Sequence, residues 1–295
     1  MIVISRIVGG IGNQLFQYAS SLAFTKMYDA ELYLDLSSFS HPKYINPEGF
    51  LLDKIFKIDV CQPTKLQYFK TLGLAAPLLP YRYRLNYERL CNNYFVEKTQ
   101  CQLEESFFAY NKRHCYLEGY WQLEDYFKNI RETIISKLHF NYDTLTHIAL
   151  KMSQTLKNQN SVSIHVRRAD YIHNKVFSDL YHECNEQYFR SAMSFISDRV
   201  PDVTFYVFSD DIEWAKAQLF FKECIFIEYD SVSGSWNDLF LMSCCKYNII
   251  ANSSFSWWGA WLNQNPEKIV IGPKKWFSSE KLYDVNPIPK NWIQM

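Results

Sequence analysis

The stretch "VSIHVRRADY", residues 162–171, combines a strand pattern with a charged end. Apolar side chains alternate with other residues as far as Val166, which is typical of a β-strand. Arg167 and Arg168 follow at once, and Asp170 comes next but one. A guanidinium is planar, keeps its charge and can bind two oxygen atoms of an anion at once. The stretch therefore predicts an anion-binding site at the end of a buried strand, with a surface ion pair as the alternative.

Outward from this stretch, strand and helix patterns alternate through the second half of the chain. The predicted strands are 161–167, 203–209, 224–229, 247–251 and 268–272, and the predicted helices are 185–200, 211–220, 235–245 and 254–264. Such alternation is typical of a parallel sheet with helices on both faces, and ligands bind beyond the carboxyl ends of its strands. The clusters "RRAD", "SDD" and "NSS" follow the first, second and fourth strands. The sequence therefore predicts a binding site at that edge of the sheet.

The first half of the chain opens with a second alternating pattern. The predicted elements are a strand at 2–8, a helix at 15–28, a strand at 31–36, and a strand followed by a helix between 115 and 138. Residues 40–110 show no clear pattern, and the polar residues 151–161 are the best candidate for a linker. We therefore predict an α/β fold with two domains, residues 1–158 and 159–295.

Composition and charge exclude several classes of protein. Hydrophobic residues make up 48% of the 295, which is enough for a sizeable core. Lysine plus arginine equal aspartate plus glutamate at 31 each, which argues against a broad surface for nucleic acid. No apolar stretch approaches the roughly 20 residues that span a bilayer, and "MIVISRIVGG" lacks the pattern of a secretory signal. We therefore expect a cytoplasmic protein without a transmembrane segment or a nucleic-acid partner.

The cysteines and aromatic residues are expected to have structural roles. Eight cysteines occur without a C-x-x-C pair, which disfavours zinc and predicts reduced thiols. Aromatic residues reach 17% and are expected to fill the core, with sugar stacking as the alternative. Arginines and tyrosines mix in "YRYRLNYERL", residues 81–90, which is either a solvated helix face or a weak contact with a membrane surface. A membrane contact would place the protein peripherally at the inner membrane.

A glycine-rich turn, "GGIGNQLFQYA" at residues 9–19, joins the first strand to the first helix. A phosphate could approach main-chain N–H groups at such a turn. The dinucleotide-binding fingerprint would place a third glycine near Leu15, and the bulky Asn13 and Gln14 also oppose a close backbone approach. A nicotinamide or flavin site is therefore disfavoured but stays an alternative. The other interpretation is a tight turn that needs a positive φ.

Two further clusters and one histidine bear on the chemistry. In "FSDDIEW", residues 208–214, Asp210 or Asp211 either caps a helix or accepts from a nucleobase or ribose. The hydroxyls and helix N-terminal N–H groups of "NSSFSWWGAW", residues 252–261, suit a phosphate. His165 either binds a ligand or is a core histidine with satisfied hydrogen bonds. Because no Asp-x-Asp pair occurs in the chain, arginine rather than a metal is the expected counter-charge.

Taken in order, "GGIGNQLFQYA", "LEGYWQ", "HVRRADY", "FSDD" and "NSSFSWWGAWL" resemble the bacterial α-1,2-fucosyltransferases, from about residue 6 to residue 275. The resemblance implies a GT-B-like fold, with two Rossmann-like domains that face each other across a cleft. It implies an acceptor-side domain at 1–158 and a GDP-fucose-binding domain at 159–295. It also implies GDP-fucose as co-substrate, inversion of configuration, and no required metal or other cofactor.

The resemblance also implies roles for individual residues. Arg167 would contact the β-phosphate and the scissile oxygen, and Asp170 would support it. Asn13 would face the donor from the glycine turn. The residues implied in donor binding are His165, Arg168, Gly12, Gln14, Ser209, Asp210, Asn252, Ser253, Ser254 and Phe255. Ala169 stands where the family motif has glycine, which leaves the conformation of this loop open.

The predicted function is that of a galactoside α-1,2-fucosyltransferase. It would transfer L-fucose from GDP-β-L-fucose to O2 of a terminal β-galactose, with inversion. The alternatives are a fucosyltransferase of another linkage or acceptor, a nicotinamide-dependent oxidoreductase that uses the glycine turn, and a non-catalytic glycan-binding module that uses the aromatic residues. The resemblance implies O-antigen or capsule assembly. The residues leave open the general base, the acceptor beyond galactose and the oligomeric state.

Overall fold

Two compact units make up the chain, residues Met1–Asn141 and Tyr142–Met295. The computed structural model describes residues 1–40, 48–73, 91–168, 184–219, 223–228, 234–278, 282 and 285–295. Two of the sequence predictions, the membrane contact at 81–90 and the supporting role of Asp170, lie outside these residues. Each unit contains one parallel sheet, so the predicted α/β class is confirmed.

The first unit is built on a four-stranded sheet in the order β2-β1-β4-β3. Its strands are β1 (Ile2–Arg6), β2 (Glu31–Asp35), β3 (Tyr94–Val96) and β4 (His114–Glu118). Its helices are α1 (Ile11–Met27), α2 (Leu52–Ile55), α3 (Lys65–Leu72) and α4 (Arg131–Lys137). The strands pair in parallel, so their carboxyl ends share one edge. That edge carries the glycine turn, which connects β1 to α1.

Aromatic side chains fill the core of the first unit. Phe107 is fully buried, and its ring packs within 5.5 Å, centre to centre, of the rings of Phe24, Trp121 and Tyr126. Fully buried aromatic rings remove a large apolar area from water. In this unit the high aromatic content therefore builds the core, as expected from the sequence.

The second unit is built on a six-stranded sheet in the order β10-β9-β8-β5-β6-β7. Its strands are β5 (Asn160–Val166), β6 (Val203–Ser209), β7 (Cys224–Phe226), β8 (Tyr247–Ile249), β9 (Val270–Gly272) and β10 (Ile293–Gln294). The first strand, β5, is central, the next two lie on one side and the last three on the other. This is the strand order of the Rossmann fold, and it has a topological switch point between β5 and β8.

The helices of the second unit follow the predicted alternation. They are α5 (His147–Asn158), α6 (Glu186–Ser197), α7 (Ile212–Gln218), α8 (Trp236–Cys244) and α9 (Ser254–Leu262). The predicted linker at 151–161 is wrong, because most of it belongs to α5 and the rest begins β5. Only Ala149, Ser153 and Leu156 of α5 are buried, so its other positions are polar enough to resemble a linker.

Several tryptophans and cysteines are buried in the second unit, among them Trp257, Trp258, Trp261, Cys184, Cys244 and Cys245. The rings of Trp257 and Trp261 stack at 6.3 Å, which confirms that they share a helix face. Gly259 lets α9 approach α8, because a Cβ there would lie 2.9 Å from Met242 Cβ. The eight cysteines of the chain are free thiols in the structure.

Candidate active site

The carboxyl edge of the second sheet collects most of the predicted site residues. Val166 at the end of β5 pairs with Ser209 at the end of β6. On the other side of β5, Ile164 pairs with Ile249 at the end of β8. The parallel register therefore places the "RRAD", "SDD" and "NSS" clusters at the ends of neighbouring strands. These strands flank the switch point, where ligands of such sheets bind.

Asp210 holds both arginines of the first cluster. Its Oδ2 lies 3.1 Å from Nη1 of Arg167, and its Oδ1 accepts a hydrogen bond of 2.8 Å from the main-chain N–H of Arg168. The Arg167 side chain stays 36% exposed and the Asp210 side chain 20% exposed. The carboxylate therefore anchors a solvent-accessible guanidinium, and its contact with a nucleobase or ribose stays a prediction.

The neighbouring Asp211 caps α7, as one of the two sequence interpretations predicted. Its Oδ1 accepts from the N–H of Trp214 at 3.2 Å, and Ser209 Oγ accepts from its own N–H at 2.9 Å. Its other oxygen lies 3.5 Å from Nε of Arg168, whose guanidinium lies 4.1 Å from the ring centre of Trp214. Arg168 is therefore held on two sides, by a carboxylate and by a π face.

His165 is buried directly behind the arginines. Its ring centre lies 5.5 Å from that of Phe255, and its Nδ1 has no hydrogen-bond partner within the described residues. Burial, reinforced by the charge of Arg167, lowers the pKa of His165 to about 3. The imidazole is therefore neutral at physiological pH. Within the described residues, its Nδ1 therefore lacks the partner that the core-histidine alternative requires.

The loop after β8 presents a helix N-terminus. Ser253 caps α9 by accepting from the N–H of Phe255 at 3.3 Å. Asn252 is buried, donates to the carbonyl of Trp276 at 3.0 Å and accepts from the Cys184 thiol at 3.7 Å. Asn252 thus holds the loop through its buried side chain, and Ser254 is the first residue of the helix. The N–H groups of this first turn suit an anion.

A carboxyl that the sequence analysis missed lies at the same edge of the sheet. Asp238 is in the first turn of α8, which connects β7 to β8. Its Oδ1 is buried without a hydrogen-bond partner within the described residues, and desolvation raises the pKa of the carboxyl to about 7. Perturbed carboxyls of this kind are common in functional sites. The available sequence signal was an acidic residue directly before an apolar run, in "DLFLM".

The residues predicted in the glycine turn of the first unit have different environments in the structure. Gln14 is fully buried, donates to the carbonyls of Gly9 and Gly49 at 2.9 Å each, and accepts from the N–H of Leu51 at 2.9 Å. The carboxamide of Gln14 therefore holds two loops together, where donor binding had been expected. Gly9 has a φ of +79°, which confirms the tight-turn interpretation.

The other two residues predicted in this turn lie in α1. Gly12 is buried in the first turn of the helix. Asn13 accepts from the side chain of Gln122 through Oδ1 at 2.7 Å. The structure thus places the predicted site residues in two groups, one at the switch point of the second unit and one at the glycine turn of the first.

Metal-binding clusters and membrane-spanning helices can be looked for only among the described residues. Within the described residues, no three or more His, Cys, Asp or Glu side chains form a group that could hold a metal ion. Among the described helices, none is long and apolar enough to cross a membrane.

Comparisons with known proteins agree with this geometry. The sequence profile of Glycosyl transferase family 11 matches residues 88–295. An alpha-1,2-colitosyltransferase of Escherichia coli is 35% identical over 100% of this chain and 99% of its own. The O-antigen biosynthesis glycosyltransferase WbnK of Escherichia coli is 31% identical over 92% of this chain and 93% of its own.

More distant similarities extend to animal enzymes and to a solved structure. A galactoside alpha-(1,2)-fucosyltransferase 1 of Lagothrix lagotricha is 23% identical over 86% of this chain and 63% of its own. The crystal structure of fucosyltransferase NodZ from Bradyrhizobium superposes with a TM-score of 0.51, at 13% identity, over 88% of this chain and 91% of that one. At that identity the superposition bears on the fold alone, and it agrees with the GT-B-like class.

Proposed function

This chain belongs to glycosyl transferase family 11, and from that premise we propose that it transfers L-fucose from GDP-β-L-fucose to O2 of a terminal β-galactose, with inversion. The chain is a glycosyltransferase, so the oxidoreductase and the non-catalytic glycan-binding module are set aside. The observation that carries the proposal is the pair of arginines that Asp210 holds at the switch point.

Arg167 and the N-terminus of α9 would bind the diphosphate. As the glycosidic bond breaks, negative charge grows on the diphosphate while the sugar becomes oxocarbenium-like. Donors that are already oriented towards that charge stabilise the transition state. Arg167 is accessible and anchored, and Ser253 and Ser254 lie at the start of a helix whose N-terminal N–H groups lie at the same sheet edge. These groups would take the place of a metal ion.

The nucleoside would be bound by neutral and acidic groups beside the arginines. His165 keeps its neutral form, and its buried Nδ1 can accept from an N–H group. Asp238 offers a carboxylate oxygen without a partner within the described residues. Guanine presents adjacent N–H donors on its edge, so an acceptor of this kind suits it. Ser209, Asn252 and Phe255 would shape the same site.

The donor sugar has a second candidate, colitose, because the alpha-1,2-colitosyltransferase is 35% identical over the whole chain. Colitose is L-fucose without its 3-hydroxyl group. A site that hydrogen-bonds a hydroxyl rejects the analogue without it by about 10⁴–10⁵, whereas an apolar site discriminates poorly. The ratio of kcat/KM for the two GDP-sugars therefore decides between the candidates.

The test is an incubation of the enzyme with GDP-fucose or GDP-colitose, a panel of β-galactosides, and EDTA in one arm. We expect transfer to O2 of galactose, identified by NMR of the product, and retention of activity in EDTA. Transfer to another hydroxyl would overturn the linkage, and loss in EDTA with recovery in magnesium would overturn the metal-free mechanism. Absence of transfer from either donor would overturn the function.

A further inference from the structure

Strand β8 runs into the loop 250–253, which ends at the N-terminus of α9, and the sheet cannot satisfy the first carbonyl of this loop. β8 and β9 pair in parallel, with Ile249 opposite Ile271. In that register the N–H of Ile250 donates to the carbonyl of Ile271 at 2.9 Å, and the carbonyl of Ile250 faces the main-chain nitrogen of residue 273. Residue 273 is a proline, which has no N–H group. The carbonyl of Ile250 therefore needs a donor from outside the sheet.

The hydroxyl of Tyr188 on α6 supplies this donor. It lies 2.6 Å from the carbonyl oxygen of Ile250 and 3.2 Å from that of Ile271, so it joins the ends of both strands. Burial, with a smaller contribution from the Cys184 thiol, raises the pKa of Tyr188 well above its ordinary value, so the hydroxyl keeps its proton. Because Ile250 is buried, a carbonyl without a donor would be costly there. The phenol thus takes the place of the missing strand hydrogen bond.

Tyr188 is itself held in place by α6. The side chain of Asn185 caps this helix and accepts from the N–H of Tyr188 at 3.0 Å. The ring of Tyr188 packs on that of Phe189, with 5.1 Å between the ring centres, and borders the apolar core of the second unit. The hydroxyl is therefore the end of a rigid side chain, and it transmits the position of α6 to the loop.

The loop 250–253 has one anchor at its start, one in its middle and one at its end. Tyr188 holds Ile250 at the start. Asn252 donates to the carbonyl of Trp276 at 3.0 Å, and Ser253 caps α9. Because Ile250 comes first, a displacement there moves the rest of the loop and the first turn of α9.

We propose that Tyr188 is a positioning residue, whose hydroxyl replaces the strand hydrogen bond that Pro273 cannot make and so holds the first turn of α9 in the orientation that binds the diphosphate. The inference rests on the proposed function, in which that turn belongs to the donor site. Donors that stabilise developing charge act best when they are oriented before the reaction. A displacement of about 1 Å can lower a rate about 10²-fold. Tyr188 acts through the loop and does not contact the substrate.

The variant Tyr188→Phe removes only the hydroxyl, and we expect it to fold. A cavity of about 220 Å³ lies beside the ring, and Pro273 also lines it. A water molecule needs only about 10–15 Å³ of such volume, so water can hydrate the two carbonyls in the variant. Such a water is not attached to α6. The variant therefore satisfies the carbonyls without fixing the loop.

The kinetic test compares Tyr188→Phe with Tyr206→Phe in the full chain. Tyr206 is the matched control, because its hydroxyl also donates a hydrogen bond, at 2.6 Å, to Gln159, which precedes β5 at the amino edge of the sheet. With GDP-fucose and a β-galactoside, we expect Tyr188→Phe to lower kcat about 10- to 100-fold, with KM changed less. Tyr206→Phe should match the wild type. Equal kcat in the two variants would overturn the positioning role.

A second substitution tests the part played by Pro273. Pro273→Ala returns a main-chain N–H to the position where the ladder requires a donor for Ile250. We expect Tyr188→Phe/Pro273→Ala to regain much of the lost kcat, and to fold if Tyr188→Phe alone does not. Pro201→Ala in the same background, in the turn before β6, should give no recovery. A double variant that regains neither turnover nor folding would overturn the replacement.

Hydrogen exchange, followed by mass spectrometry without substrate, does not depend on activity. The N–H of Phe255 donates to the Ser253 hydroxyl at 3.3 Å, and the N–H of Trp257 donates to the Ser253 carbonyl at 3.0 Å. We expect both to exchange faster in Tyr188→Phe and at the wild-type rate in Tyr206→Phe. Unchanged exchange in Tyr188→Phe would overturn the inference. Faster exchange, with a wild type that neither binds GDP nor transfers fucose, would overturn the proposed function alone.

Discussion

Arg167 and Asp210 form an ion pair that contributes more to geometry than to stability. Both side chains are partly exposed, at 36% and 20%. Pairs in such positions are typically worth about 0–1 kcal/mol, because solvent screens them. Substitutions at either residue should therefore leave the fold intact, so their effects on catalysis can be measured directly.

Arg167→Lys is the informative change at the first of these residues. Lysine keeps the charge but loses the planar pair of donors. Removal of a donor that acts on developing charge costs on the order of 10² to 10³ in turnover. We expect steady-state kinetics to show a loss of that size in kcat, with normal dichroism and melting. Arg199→Lys, on the second unit, is the control, and near-normal kinetics in Arg167→Lys would transfer the role to Arg168.

The variant Asp210→Asn distinguishes two roles of Asp210, the positioning of Arg167 and the binding of the nucleoside. Asparagine can still accept from the N–H of Arg168 but leaves Arg167 without its anionic anchor. We expect kcat to fall by about tenfold or more, because Arg167 is no longer held in place. Calorimetry should show GDP affinity close to that of the wild type. A large loss of GDP affinity at normal kcat would instead support direct contact with the nucleoside, as the sequence had indicated.

His165 should make the stability of the protein depend on pH. The folded protein keeps the imidazole neutral to about pH 3, whereas the unfolded chain takes up a proton near its ordinary pKa of 6.5. As the pH falls below 6.5, the unfolded state therefore gains protons first, and stability decreases. Between pH 7 and pH 5 the wild type should lose about 2 kcal/mol more unfolding free energy than His165→Gln, measured with urea. Equal losses would show that His165 is protonated in the fold.

At the scale of single residues, the sequence indicated the location of the site better than the contacts within it. Arg167, Arg168 and Asp211 were recognisable, because charged residues at a strand end and a helix cap are local patterns. The bonds from Asp210 to the arginines join residues more than forty positions apart, and no local pattern encodes them. The contacts of Gln14 were not foreseen for the same reason, because its partner loop contains Gly49 and Leu51.

Helix α8 begins with a carboxyl whose ionisation falls in the physiological range. Because the pKa of Asp238 is about 7 and N–H donors prefer the carboxylate, GDP affinity should weaken as the pH falls below 7. The expected change is about tenfold per pH unit. GDP titrates as well, so the measurement is the difference between wild type and Asp238→Asn in calorimetry at pH 6 and 8. Asp198→Asn, at the end of α6, should behave as the wild type. Parallel pH profiles of wild type and Asp238→Asn would exclude Asp238 from nucleotide binding.

The elements of the second unit were largely predictable, and those of the first were less so. Strands such as β5 and β6 are buried runs between clear helix patterns, so their period and length are distinctive. Within residues 40–110, β3 has three residues and α2 has four, which is too short for a periodic signal. Helix α3 carried a different signal, because Thr64 and Gln67 form a capping box at its start. The sequence analysis did not use this signal.

At the scale of the whole molecule, the unit boundary leads to a prediction about fragments. Helix α5 belongs to the second unit, where the side chain of Asn237 accepts from the N–H of Thr146 at 3.0 Å and Trp236 donates to the carbonyl of Thr144 at 2.9 Å. We therefore expect residues 142–295 to fold alone and bind GDP, as judged by dichroism and calorimetry.

The matched fragment is 159–295, which follows the boundary expected from the sequence. It lacks α5 and uncovers apolar surface that Ala149 and Leu156 bury, so we expect it to aggregate or to melt earlier. Equal stability of the two fragments would contradict the boundary after Asn141. The sequence could predict two α/β halves from their alternation. The amphipathic α5 was assigned to a linker because its buried face is narrow.

The strand order of the second sheet has a consequence for synthesis on the ribosome. Strand β5 pairs with β6 soon after both are made, but its other neighbour, β8, begins about 80 residues after β5 ends. During translation the nascent chain therefore carries one unpaired edge of its central strand for several seconds, at the usual rates of elongation. The residues that form the switch point are therefore enclosed only after β8 has been made. A pause in translation or a chaperone that acts within this interval would influence whether β5 pairs with β8 of the same chain or with a strand of another chain.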